Sequence, residues 1–311
     1  MVETRPFRFG VMAGSVTSRA AWLTKARRIE QLGYSTLHMM DHLTFDLPPI
    51  AAMMAAADAT ETLRIGSHVF CNDYRHPAVL AKEVAALDLL SDGRFEFGIG
   101  AGWQQSEYEQ AGITYEAPGT RISRLEEALA IFKGVFMQET FSFSGKYYQI
   151  AELQGLPRPV QKPYPPIYLG GGGKRMLTLA AREADIVSFV PIAHAQASWQ
   201  DMSDGTAEAT MRKVEWVRDA AGERLPQLEL HTSVFALIVT GNRQQVAGYM
   251  ASNFGLAPQQ VLDLTHTLLG SVDEICETLQ TRRERYGISY VTILDKDMET
   301  FAPVVERLRG Q

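Results

Sequence analysis

His42 is the residue in this chain best suited to moving a proton near neutral pH, because imidazole is the side chain whose ordinary titration falls there. Asp41 precedes it and could influence its charge. Neighbours on an extended segment point to opposite sides, so the two need not form a hydrogen-bonded dyad. A rim histidine bonded to backbone is the competing reading. His38 lies four residues before His42, but on a strand that spacing does not converge two imidazoles on one metal as it would on a helix. There is no His-Glu-x-x-His run, and no metal is expected. Cys71 lacks an identifiable partner and no Gly-x-Ser-x-Gly elbow occurs, so nucleophilic hydrolysis finds no support. Trp103 could wall an aromatic pocket. Glu107 could orient a ligand or cap a helix, and packing or capping serves either residue equally well.

A second chemical stretch is Gly170-Gly171-Gly172-Gly173, followed by Lys174 and Arg175. Ile167, Tyr168 and Leu169 before it are β-prone. Met176, Leu177, Ala180 and Ala181 after it share one helical face. Four glycines exceed what one tight turn needs, which points to close approach of a ligand to the backbone. The free N–H groups at a helix start make an anion site, and phosphate is the usual occupant. A flexible turn without a ligand is the plain alternative. The spacing is not a P-loop, since Tyr168 and Arg175 occupy its ends, nor a dinucleotide fingerprint, since Met176 stands at the third glycine position.

These residues need elements to hold them. Apolar strands at residues 7–13, 36–40, 63–70, 94–99, 167–169, 185–190, within 228–239, and at 289–294 alternate with helices. Helix signals include Ser18 and Gly33, Pro49, Pro77 and Gly93, a helix over 120–137, one over 207–221, and the capping box Ser271/Glu274. A hairpin around Ser144-Gly145 and extra helices over 241–270 interrupt the pattern. Eight such repeats predict a (β/α)8 TIM barrel, with a doubly wound open sheet as runner-up. One domain is expected over residues 1–311, with insertions near 138–165, 191–207 and 241–270. Barrel chemistry belongs on loops after the strands, which selects Asp41-His42, His68 to Arg75, Gly100 to Glu107 and the glycine run. The polar segment from Ala193 to Ala207 is the candidate mobile loop, with His194 and Trp199 as lid residues.

The bulk numbers narrow the partners. The 311 residues are 46% hydrophobic and 21% charged, with a formal charge of −6 and two cysteines. Neither nucleic acid nor an anionic membrane suits that charge. No disulfide framework, signal peptide or apolar run of membrane length is read, so a cytoplasmic location is expected.

Several stretches together carry a resemblance. Asp41-His42, Asn72-Asp73-Tyr74-Arg75-His76-Pro77, Leu90-Ser91-Asp92-Gly93-Arg94, Gly98-Ile99-Gly100-Ala101-Gly102-Trp103, Glu107-Tyr108 and the glycine run resemble the bacterial luciferase-like monooxygenase superfamily. The match looks closest to its coenzyme F420 branch, in particular a mycobacterial-type subgroup. The resemblance implies a luciferase-like barrel, often a homodimer, that moves a hydride between deazaflavin and a small-molecule substrate. It implies a cofactor set of His68, Val69, Phe70, Asn72, Gly100, Ala101, Gly171, Gly172 and Gly173. His68 to Phe70 map to a bulge that backs the ring in relatives, often with a non-prolyl cis peptide. His42 matches an active-site histidine, with Asp41 beside it as a further catalytic candidate. Trp103 replaces the catalytic glutamate of the sugar-phosphate dehydrogenases, which puts that reaction in doubt. Trp103 and Glu107 are then substrate-pocket residues, and Glu107 could partly substitute for the missing glutamate. An FMN-dependent two-component monooxygenase and a non-catalytic cofactor carrier are the alternatives.

Overall fold

The computed structural model describes residues 5–14, 16–192 and 203–311. Eight strands make the central ring: β1 (Arg8–Ala13), β2 (Thr36–Met39), β3 (Arg64–Ser67), β4 (Phe95–Gly100), β5 (Ile167–Gly171), β6 (Ile186–Phe189), β7 (Glu229–Ser233) and β8 (Ile288–Leu294). Hydrogen-bonded neighbours follow sequence order, β8 pairs β1, and β3 pairs β4, so the ring closes as a TIM barrel. The open-sheet alternative is thereby excluded. Registers are parallel, as in Arg8↔Tyr290 through Met12↔Leu294 and Phe97↔Ile167 through Ile99↔Leu169. β2, β4 and β6 are buried at every residue, as expected of parallel strands covered on both faces.

The chain divides into two compact units. One comprises Gly14–Arg27 and Leu37–Leu169, the other Met1–Ala13, Arg28–Thr36 and Gly170–Gln311. In the first, Phe97 packs edge-on against Phe132 at 4.9 Å and near Phe70 at 6.4 Å, joining the helix Pro118–Met137 to the strands. Glu127 of that helix accepts from the backbone N–H of Lys146, Tyr147 and Tyr148, which ties down the inserted hairpin. In the second, the helix Lys174–Glu183 packs beside Ala207–Ala221. A satellite core of Ala247, Ala251, Val261, Leu264 and Leu269 lies outside the ring.

Most sequence boundaries agree within a few residues, and several differ for identifiable reasons. The third strand stops at Ser67; the His68–Val69 peptide is cis, and Phe70–Cys71 resumes as a separate two-residue strand. Gly170 and Gly171 belong to β5, because parallel pairing carries the strand past its apolar residues. Helices Arg243–Phe254 and Pro258–Asp263 fill the 241–270 stretch as expected, but Thr267–Gly270 is a strand paired in parallel with Ala236–Val239. The hairpin extends to Gln154. The capping box forms, with Ser271 Oγ accepting from Glu274 N and Glu274 Oε2 from Ser271 N. His194 and Trp199 lie outside the described residues, as does most of the segment from Ala193 to Ala207. No described helix is long and apolar enough to cross a membrane.

Candidate active site

The chain leaves β2 with Asp41 and His42 pointing apart, and each finds a different partner. Asp41 takes a bidentate pair from Arg75, at 2.6 and 2.9 Å, and the N–H of Cys71 at 2.9 Å. It is a buried clamp joining the end of β2 to the loop after β3. The recorded partner of the His42 imidazole is Glu107, not Asp41: Nδ1 lies 3.0 and 3.1 Å from the two carboxylate oxygens.

Glu107 occupies the first turn of a short helix, Gln105–Ala111, which has no signal in the sequence pattern. Its side chain is only 1% exposed, so it sits behind His42 rather than lining a substrate pocket. Thr44 Oγ1 donates to Oε1 at 2.9 Å and Tyr74 OH donates to Oε2 at 3.0 Å. Burial alone would push this carboxyl up. The Thr44 hydrogen bond, the His42 charge and bond, and the Tyr74 bond together outweigh it and hold Glu107 below the ordinary carboxylate range. An ionised carboxylate only accepts, so His42 Nδ1 must carry the proton of this bond. In the neutral ring the lone pair then resides on Nε2, which takes no hydrogen-bond partner among the described residues. Trp103 stands edge-on to the ring at 5.8 Å and Phe45 lies at 5.0 Å, so the imidazole is flanked by apolar surface.

The other candidates near β3 and β4 separate in the same way. His68 stacks on His38 at 5.0 Å and lies 5.2 Å from Tyr168; desolvation, then the nearby His38, holds its pKa well below the usual value. Phe70 is fully buried core. Val69 is half-buried, and the glycines of β4 make room for it. A Cβ on Gly100 would come 2.8 Å from Val69 Cγ2, and one on Gly98 would meet Ser67 O at 1.9 Å. Ala101 offers its carbonyl to Arg121 Nε at 3.2 Å. Gly98 and Gly100 therefore serve the bulge. Asn72 is 1% exposed; its Nδ2 donates to Tyr148 OH at 3.2 Å, while Oδ1 is buried with no hydrogen-bond partner. Cys71 is buried against Tyr108 OH at 3.2 Å, and desolvation pushes its thiol up to about 12, which disposes of it as a nucleophile. His38 pairs with Glu96 at 3.7 Å, apart from the His42–Glu107 pair, and no group able to hold a metal occurs among the described residues.

In the other unit, Gly173 is the N-cap of helix Lys174–Glu183 and supplies no side-chain cap. A helix start without a side-chain cap suits an anion. None of the four glycines has a positive φ, so conformation is not what demands them. Space is: a Cβ on Gly172 would lie 2.5 Å from Ile192 N, and one on Gly171 2.5 Å from Met176 Cγ. A Cβ on Gly173 would meet none of the described residues beyond its chain neighbours within 4 Å. A helix start whose N-cap glycine offers no side chain, behind glycines with no room for a Cβ, fits the phosphate of a phosphorylated cofactor. The sequence had no signal for Thr44 and Tyr74 as donors to Glu107, because three loops must fold before they meet. Tyr74 did lie within the Asn72 to Pro77 motif.

Comparison with known proteins finds relatives in both sequence and fold. The chain is 29% identical over 171 residues to an F420-dependent glucose-6-phosphate dehydrogenase of Amycolatopsis mediterranei, covering 51% of this chain and 50% of that one. It is 31% identical over 127 residues to an FMNH(2)-dependent dimethylsulfone monooxygenase of Pseudomonas putida, covering 41% and 35%. The chain thus spans half or less of the length of these relatives. Among solved structures, the coenzyme F420 dependent tetrahydromethanopterin reductase of Methanopyrus kandleri superposes with a TM-score of 0.76 at 16% identity, over 98% of this chain and 100% of that one, which is a likeness of fold. The family model described as luciferase-like monooxygenase matches residues 5–247, and the chain belongs to that family.

Proposed function

We propose that this protein is an oxidoreductase that moves a hydride between the C5 carbon of coenzyme F420 and a small organic substrate. The observation that carries the proposal is His42 held at Nδ1 by a buried, ionised Glu107, with Nε2 left for exchange. A bound deazaflavin would supply the hydride donor or acceptor. Gly171 to Gly173 and the helix behind them would hold its phosphate. His42 Nε2 gives or takes the proton that accompanies the hydride. Glu107 fixes the tautomer and steadies the imidazolium, as a carboxylate behind a catalytic histidine does. Trp103 and Phe45 beside the ring favour an apolar substrate face. Asp41 acts at one remove, through Arg75 and the loop that carries Tyr74.

A second reading is supported by the dimethylsulfone monooxygenase: the same apparatus with FMN, reacting with oxygen and fed by a separate reductase. A non-catalytic carrier would have no use for the His42–Glu107 pair. Parallel fluorescence titrations of the apo-protein with F420 and FMN separate the first two readings. Preference for F420 and anaerobic hydride exchange are expected; preference for FMN with oxygen uptake overturns the assignment. Changing His42 to Ala should lower turnover by about 10²- to 10⁴-fold while cofactor affinity stays nearly constant. Equal loss of both would remove His42 from the chemistry.

A further inference from the structure

We infer that Lys213 and Asp204 are positioning residues for the Gly171–Gly173 seat, acting through the backbone of Val190 to Ile192. This rests on the reading of that seat as a phosphate site. Lys213 lies in the helix Ala207–Ala221 and its side chain is 2% exposed. Its ammonium donates to Val190 O at 2.9 Å, Asp204 O at 2.9 Å and Asp204 Oδ2 at 2.6 Å. That accounts for all three N–H groups, so Lys213 has none left for a phosphate. The same Asp204 Oδ2 accepts from Ile192 N at 2.7 Å. One ion pair thus grips the backbone at residues 190 and 192.

That backbone is the wall against which the glycine run sits. Gly171 O accepts from Val190 N at 3.3 Å, and a Cβ on Gly172 would strike Ile192 N, Pro191 C and Ile192 Cα at 2.5, 2.7 and 2.8 Å. A shift of Val190 to Ile192 would therefore move Gly171 and Gly172, and with them the helix start. Burying an ammonium is costly, and replacing a buried ion pair by apolar side chains is often neutral for stability.

The test compares FMN with riboflavin, which share a ring and differ by the phosphate, in fluorescence titrations of the wild type, Lys213→Met and Asp204→Ala. The wild type should bind FMN more tightly. Both variants should lose about tenfold of that preference with riboflavin affinity unchanged. F420 and its phosphate-free ring alcohol give the same ratio if FMN proves the weaker ligand. An unchanged ratio in both variants overturns the inference, and so does equal weakening of both ligands, which marks general structural damage. A wild type without any preference for the phosphate refutes the seat itself, and this inference with it. If Lys213→Met does not fold, Asp204→Ala carries the test, since its side chain is one-fifth exposed.

Discussion

At Glu107, three donors from two separate stretches, His42 and Thr44 in one and Tyr74 in the other, converge on one buried carboxylate. The folded protein holds this proton less firmly than the unfolded chain, where a glutamate titrates near about 4.3. Its contribution to stability is therefore complete above that range and declines as pH falls through the lower, folded value. Replacing Glu107 by Gln removes the charge but keeps the shape. The stability advantage of the wild type over Glu107→Gln should narrow as pH falls from about 6 to about 3. Urea midpoints across that window measure it, and a constant gap would sink the idea. His42 was legible in the sequence because its position after a strand mattered more than its neighbours. Its partner was not, since 65 residues separate it from Glu107. Asp41, adjacent in sequence, faces Arg75 because an extended backbone alternates its side chains.

Among elements, the glycine turn shows how similar residues can be held for different reasons. A Cβ on Gly172 would strike the backbone of Pro191 and Ile192, whereas one on Gly173 would meet no described residue within 4 Å. Gly172→Ala should cost about 1–3 kcal/mol by overpacking, while Gly173→Ala, at an N-cap, should cost under about 1 kcal/mol. Thermal melts of the two variants check this; equal melting temperatures would show that the wall at Ile192 is not rigid. Strand and helix on either side were readable from period and propensity. The short helix Gln105–Ala111 was not, because seven residues rich in Gln and Glu carry too little apolar pattern to declare a face.

For the molecule as a whole, ring closure depends on β3 meeting β4. Ser67 Oγ donates to Gly98 O at 2.7 Å and accepts from Gly98 N at 2.9 Å, so one side chain replaces part of the ladder. Gly98→Ala would place its Cβ 1.9 Å from Ser67 O, and a loss of about 3 kcal/mol or more is expected. Gly241→Ala, in open space, serves as the control and should move stability by less than about 0.5 kcal/mol. Similar soluble yields and melting temperatures for both would contradict a closure built on that contact.

The sequence by itself determined the barrel, the family and the stretches where chemistry would lie. Strand and helix periodicity, turn residues and linear motifs are local properties, and eight repeats of one pattern leave few ways to bury their apolar faces. Only the tertiary structure decided which residues within those stretches touch. It paired His42 with Glu107, turned Asp41 into a clamp on Arg75, assigned Gly98 and Gly100 to the Val69 bulge, and spent Lys213 on Val190 and Asp204. Apart from Lys213 with Asp204, nine residues apart, those contacts join residues distant in sequence. Their geometry follows from how the strands register and the loops pack, which no local pattern encodes.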